Sequence, residues 1–194
     1  MAKVLFKREE VIEHAIKLFG QHGYTGTSMQ QIIEVTGLQA GSIYHAFGNK
    51  EGLYKEALKQ YSDKSIQRIT RVVEAAPNVQ LGICSALEDI IDASMAKDYC
   101  SCFLLKTQIE LAASDTSEDG LYAFSLKRLA QTEELYKSYL QVQYDSEESA
   151  AKATSIMLHI FGLRVYGYQK KSAQKMRAGL VQGLPWLPWS NPHN

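Results

Sequence analysis

Apolar residues recur at three- and four-residue intervals along most of this chain. Val11, Ile12, Ala15, Leu18 and Phe19 form one stripe, which predicts an amphipathic helix over about residues 7–21. Glu9 and Glu10 fall in its first turn, where the helix dipole favours acids. Gly23 and Gly26 mark a turn. A second helix starts at Thr27 or Ser28, either of which can cap it, with Gln30 or Gln31 completing a capping box. It ends by Gly37, a left-handed C-cap, and Leu38 then plugs the core. A third helix spans about residues 39–47, turns Ile43 and Phe47 inward, and is broken by Gly48 and Asn49. A fourth begins near Lys50, carries Leu53, Ala57, Leu58, Tyr61, Ile66, Ile69 and Val73, and stops before Pro77. Five more follow over about residues 78–96, 101–113, 117–143, 146–169 and 172–183. No alternating run bounded by turn residues appears, so the expected fold is all-α with about nine helices.

The second helix, a short turn containing Gly37 and the third helix form a helix-turn-helix signature. By itself this leaves DNA binding as one option among several. The residues go further. The run Thr27-Ser28-Met29-Gln30-Gln31-Ile32-Ile33-Glu34-Val35-Thr36-Gly37-Leu38 resembles the second helix and turn of the tetracycline-repressor (TetR) family of bacterial transcription regulators. The runs Gly41-Ser42-Ile43-Tyr44-His45-Ala46-Phe47 and Lys50-Glu51-Gly52-Leu53 resemble that family's recognition helix and the start of its fourth helix. The resemblance covers about Lys7 to Leu58. Ile33 and Thr36 stand where the family usually has Ala, Gln39 where Ser is common, and Ala40 where Lys or Arg is frequent. The first two departures concern packing; the last two concern which bases are read.

The resemblance implies an N-terminal three-helix helix-turn-helix DNA-binding domain over residues 1–50. A helical-bundle ligand-binding and dimerisation domain follows over 51–194, the helix from about 50 linking the two. It also implies a homodimer on a double-stranded operator. The residues expected to meet DNA are Thr27, Ser28, Gln39, Ala40, Gly41, Ser42, Tyr44, His45 and Lys50. Gln39 can pair bidentately with adenine, Ala40 can touch a thymine methyl, and Gly41 lets the backbone come close. Lys50 opens a helix, where a free N–H and an ammonium both meet a phosphate. Thr27 and Ser28 either do the same or act purely as caps. Lys3, Lys7 and Arg8 read as a short basic arm. Residues 1–76 carry ten Lys and Arg against eight acids, a small positive excess, so two copies on two half-sites are the natural arrangement.

The remaining helices can build a bundle with a small-molecule site inside. Candidate effector-binding residues are Tyr61, Cys102, Phe103, Lys106, Tyr122, Tyr136, Met157, Phe161 and Tyr166, and the 11 tyrosines favour a partly aromatic or polar effector. In the family the last two long helices, here about residues 146–169 and 172–183, form the dimer interface. Ala150, Ala153, Ile156, Met157, Ile160, Phe161 and Leu163 fit its buried face, or an ordinary intramolecular core. Cys100 and Cys102 open a helix as in a subgroup of TetR-like regulators that sense electrophiles or oxidants, and Lys97 or Lys106 would favour the thiolate; a small buried hydrophobe is the plainer reading. The expected mechanism is a repressor whose recognition helices lose their groove spacing when an effector binds and the helix from Lys50 swings.

Composition narrows the alternatives. Lys and Arg number 21 and so do Asp and Glu, so a polycation that coats nucleic acid is excluded. Three cysteines do not make a disulfide scaffold. The first residues carry Lys3, Lys7, Arg8, Glu9 and Glu10 without an apolar core, and the apolar stretch from Ala153 to Leu163 is too short to span a bilayer. A cytoplasmic protein with no membrane partner is expected. No phosphate loop, nucleophile elbow or metal motif is present, so no enzyme activity, cofactor or metal is expected. The competing reading is a helical small-molecule carrier, or an enzyme, with a vestigial helix-turn-helix. The tail carrying Trp186 and Trp189 either seals a pocket or packs down the terminus.

Overall fold

The computed structural model describes residues 7–169 and 172–189. In chain order the helices are α1 (Arg8–His22), α2 (Met29–Thr36), α3 (Ala40–Phe47), α4 (Lys50–Ala75), α5 (Val79–Ser94), α6 (Phe103–Leu111), α7 (Leu121–Leu140), α8 (Ser146–Tyr166) and α9 (Ala173–Gly183). A 3-10 turn, Gly167–Gln169, follows α8. Among the described residues there is no strand. Among the described residues, the all-α fold and its nine α-helices follow the periodicity. The helices over 101–113 and 117–143 are shorter than expected. Leu140 is followed by turns, and the segment before α7 is held by Asp115, whose carboxylate accepts the N–H of Tyr122 at 2.9 Å.

The chain divides into two compact units. One comprises residues 1–63 and 102–128, the other 64–101 and 129–194. The division expected at residue 50 runs along the chain; the units divide instead within α4 and α7, and α6 joins the first of them.

The first unit has its core where the stripes predict. Val11, Ile12, Ala15, Leu18 and Phe19 of α1 are buried, with Ile32 of α2, Leu38 of the turn, and Ile43 and Phe47 of α3. α1 packs against α2 and α6. At the centre lies an aromatic cluster. Tyr54 of α4 meets Phe19 at 4.6 Å, Phe103 of α6 at 4.9 Å and Tyr24 at 5.1 Å, each ring edge against face. Its hydroxyl is 2.8 Å from the hydroxyl of Thr107. A buried phenol left without a partner costs about 1–3 kcal/mol, so this bond fixes α6 against α4. Arg8 is spent on the same packing: it pairs with Glu56, donates to the carbonyl of Ala46 at 3.0 Å, and stacks on Phe47 at 4.3 Å. Lys7 pairs with Glu10 at 2.8 Å. The expected basic arm is therefore corrected at Arg8, a staple within the protein, while Lys3 lies outside the described residues.

The second unit buries Val73, Ile83, Leu87, Ile91, Tyr136, Leu140, Ile156, Met176 and Leu180. α5 packs against α8 and α9. Arg177 of α9 and Glu88 of α5 form a two-pronged ion pair, with Nε 2.7 Å from the carboxylate. The tail packs down: Leu184 and Leu187 are buried, Trp189 donates to the carbonyl of Leu184 at 2.8 Å, and Lys152 lies 4.2 Å over the Trp186 ring. Asn78 caps α5, and α5 approaches α4 at Gly82, where a Cβ would stand 2.6 Å from the Cα of Val73. Backbone cannot yield as a side chain end can. Gly82→Ala should destabilise the protein by about 1–3 kcal/mol, read as a lowered thermal midpoint in calorimetry.

Candidate nucleic-acid interface

The interface is built on the α2–turn–α3 segment, which is fixed at each joint. Ser28 is the N-cap of α2: its Oγ accepts the N–H of Gln31 at 3.2 Å, and the Gln31 side chain accepts the N–H of Ser28 at 2.8 Å. Of the two expected caps, Ser28 is the one used. Thr27 instead donates to the carbonyl of Gly23 at 2.7 Å and is 1% exposed. That corrects Thr27 as a phosphate-contact residue, because its hydroxyl is turned inward and engaged. Gly37 takes φ 68 and closes α2, its N–H reaching the carbonyl of Ile33 at 2.9 Å.

Along α3 the inward positions are Ile43 and Phe47, four residues apart. Gln39, Gly41, Tyr44 and His45 are exposed, with Ala40 and Ser42 half-buried. Gln39 is the N-cap yet makes no capping hydrogen bond with its side chain. Tyr44 leaves half its surface, 50%, in solvent. Lys50 is half-buried, with its ammonium 4.4 Å over the ring of Tyr24. Burial pulls its pKa down, and the nearby Glu110 carboxylate pushes back.

Gly41 separates what the fold needs from what a partner needs. A Cβ there would meet nothing within 4 Å, and its φ is not in the left-handed region. Glycine inside a helix costs roughly 0.5–1 kcal/mol relative to alanine. The fold carries this cost at Gly41 with no return from packing.

The effector candidates are divided between the two units. In the first unit, Phe103 is buried in the aromatic cluster, and Tyr61 meets it edge-on at 5.9 Å. Cys102 is the half-buried N-cap of α6, without a side-chain cap bond. Lys106 donates to the carbonyl of Gly20, and Tyr122 is half-buried at the start of α7. In the second unit, Met157 is core, Phe161 is half-buried, and Tyr166 is 39% exposed. Phe103 and Met157 are thus packing residues. Tyr136 is fully buried, its hydroxyl has no hydrogen-bond partner among the described residues, and burial pushes its pKa up. Cys84 is also buried, its thiol pushed up to about 11, which makes it inert at neutral pH.

For the apolar face of α8 the structure shows the intramolecular alternative at five positions. Ala153, Ile156, Met157, Ile160 and Leu163 are buried within their own unit. What α8 and α9 leave open is an apolar groove of about 470 Å³ lined by Leu158, Gly162, Tyr166, Met176, Gly179 and Leu180. Among the described residues, no group of His, Cys, Asp and Glu could hold a metal, and no helix is long and apolar enough to cross a membrane.

Residues 11–57 match the family of bacterial regulatory proteins, tetR family. This match covers the α2–turn–α3 segment and its flanks, about a quarter of the chain. Among curated proteins, the chain is 43% identical over 60 residues to the HTH-type transcriptional repressor ComR of Escherichia coli, 31% of this chain and 29% of that one. It is 27% identical over 106 residues to the uncharacterized HTH-type transcriptional regulator YezE of Bacillus subtilis, 54% and 55% of the two chains. The matched stretch is therefore at most about half of either relative's length. Two solved tetR-type folds superpose over almost the whole chain. A cysteine mutant of the regulator CifR, complexed with a 26-bp operator DNA, gives a TM-score of 0.80 at 21% identity, covering 98% of this chain and 100% of that one. The reduced form of Escherichia coli NemR gives 0.80 at 20% identity, covering 96% and 98%. At such identities the likeness is one of fold.

Gly41→Ala should raise stability by about 0.5–1 kcal/mol. A higher urea midpoint at unchanged slope is the expected result.

Proposed function

We propose that this chain is a ligand-responsive, sequence-specific DNA-binding transcriptional regulator, a homodimeric repressor released from its operator by a small molecule. The observation that carries the reading is the outward face of α3. Gln39, Tyr44 and His45 are exposed there around a glycine that packing does not require. A recognition helix needs this: side chains with donors and acceptors at its start, and a gap where backbone meets the groove wall. Ser28 and Lys50 add a helix start and an ammonium for phosphates. The match of residues 11–57 to the tetR family, and a DNA complex in a protein of the same fold, support the same reading.

The groove on α8 and α9 supports a second copy of the chain as its occupant. Leu158 at 64% and Val165 at 49% exposure are apolar surface that a monomer leaves in water. Two reading heads also remedy the small positive excess of one. The effector belongs to the second unit in this reading. There the Tyr136 hydroxyl, buried without a partner among the described residues, favours a molecule that offers it a hydrogen bond. Binding releases DNA only if the effector prefers the conformation in which the two heads are wrongly spaced.

Modification of Cys102 is a second route to release, favoured by its half-buried place at the start of α6 without a side-chain bond. Lys106, expected to activate the thiol, donates to Gly20 instead.

The test is a salt-titrated fluorescence-anisotropy assay on DNA upstream of the protein's own reading frame, against scrambled duplex. Specific binding that weakens with salt is expected. Tyr44→Ala and Lys50→Ala should each lower affinity at least about tenfold in a protein that stays dimeric by light scattering, and Gly41→Ala should also bind less well despite its greater stability. Normal binding by all three would mean that α3 is not the reading surface. Cys102→Ser should abolish any release by oxidant; an unchanged response assigns that release to another group.

A further inference from the structure

α6 lies in the first unit, and its polar side chains are spent on the front of that unit. Glu110 accepts two backbone N–H groups, that of Tyr24 at 2.9 Å and that of Thr25 at 2.7 Å, one on each carboxylate oxygen. Both donors belong to the turn between α1 and α2. Gly23 opens that turn with φ 75, and a Cβ there would collide with the Glu110 carboxylate. The turn is therefore shaped around Glu110 in two ways, by hydrogen bonds and by a glycine that makes room. One helical turn earlier, Lys106 holds the carbonyl of Gly20 and Thr107 holds the hydroxyl of Tyr54.

The turn in question leads directly to the proposed DNA-binding groups. Tyr24 is the platform for the Lys50 ammonium, and Lys50 feels the Glu110 charge. Thr25 lies three residues before Ser28, the N-cap of α2. A charged acceptor on two N–H groups is stronger than neutral hydrogen bonds, so the turn has one preferred position, and that position is set by a residue far along the chain.

We propose that Glu110 is a positioning residue for DNA binding: by holding the Tyr24–Thr25 turn it places Lys50 and the start of α2 for the phosphate backbone. The proposal rests on the DNA-binding reading above. Glu110 itself touches no DNA in this account. The sign of its effect separates positioning from plain electrostatics. Removing an anion from a DNA-facing unit should, by charge alone, tighten binding. Loss of positioning should weaken it.

The experiment compares full-length wild type, Glu110→Gln and Glu110→Ala on one duplex that the wild-type protein enriches from a random library, with a scrambled duplex as control. Circular dichroism and the thermal midpoint confirm that each variant is folded at the assay temperature, and amide exchange reports on Tyr24 and Thr25. Glu110→Ala should bind the selected duplex about tenfold more weakly, lose less on the scrambled one, and exchange those two amides faster. Glu110→Gln, which can accept one N–H but not both, should fall between; it carries the test alone if the alanine variant does not fold. Affinity at or above wild type in the folded variants overturns the role of Glu110 and leaves the DNA-binding reading intact. If wild type enriches no sequence at all, the DNA-binding reading fails, and the positioning role falls with it.

Discussion

The buried hydroxyl of Tyr54 is the constraint on which the first unit depends. Burying an aromatic side chain contributes on the order of 3 kcal/mol, and leaving its hydroxyl unpaired would remove about 1–3 kcal/mol of that. The ring alone would accept any apolar surroundings. The hydroxyl accepts only a partner in one place, and Thr107 on α6 is that partner. Once α6 is fixed there, Phe103 completes the aromatic cluster, Lys106 meets the end of α1, and Glu110 meets the turn before α2. A helix some fifty residues downstream is thereby made part of the front of the molecule.

The second unit contains the opposite case. Tyr136 is as deeply buried as Tyr54, yet among the described residues its hydroxyl has no hydrogen-bond partner. Gly41 is a similar case, where a helical glycine is kept without any packing reason. Both positions are suboptimal for the isolated protein, and such departures are where function is expected to sit.

Much of this was legible in the sequence. The stripe Val11, Ile12, Ala15, Leu18 and Phe19 is buried, and so are Ile43 and Phe47, because a helix that buries one face must repeat its apolar residues every three or four positions. Gly37 closes α2 in the left-handed conformation that few other residues adopt. The residues of α3 were readable because the motif is contiguous. Where the sequence misled, a side chain had two uses and local pattern could not choose. Thr27 and Ser28 are adjacent hydroxyls, and only the fold turns one inward and makes the other a cap. Arg8 reads as a free cation until Glu56, Ala46 and Phe47 are brought beside it. On α8 the apolar residues run nearly all round the helix, so periodicity named Ile156 and Met157 while the open groove is lined by Leu158, Gly162 and Tyr166.

The sequence by itself determined the helices, the left-handed close of α2 at Gly37 and the inward residues of α1 and α3, because these depend on spacings of a few residues. Only the tertiary structure decided that α6 belongs with the first unit, that Glu110 holds the turn before α2, and that the hydroxyl of Tyr136 has no partner among the described residues. Tyr24 and Glu110 are 86 positions apart, and no local period links a carboxylate to the backbone amides it will meet. Hydrogen bonds of that kind are set by which surfaces pack, and packing is the one property that a single helix does not carry in its own sequence.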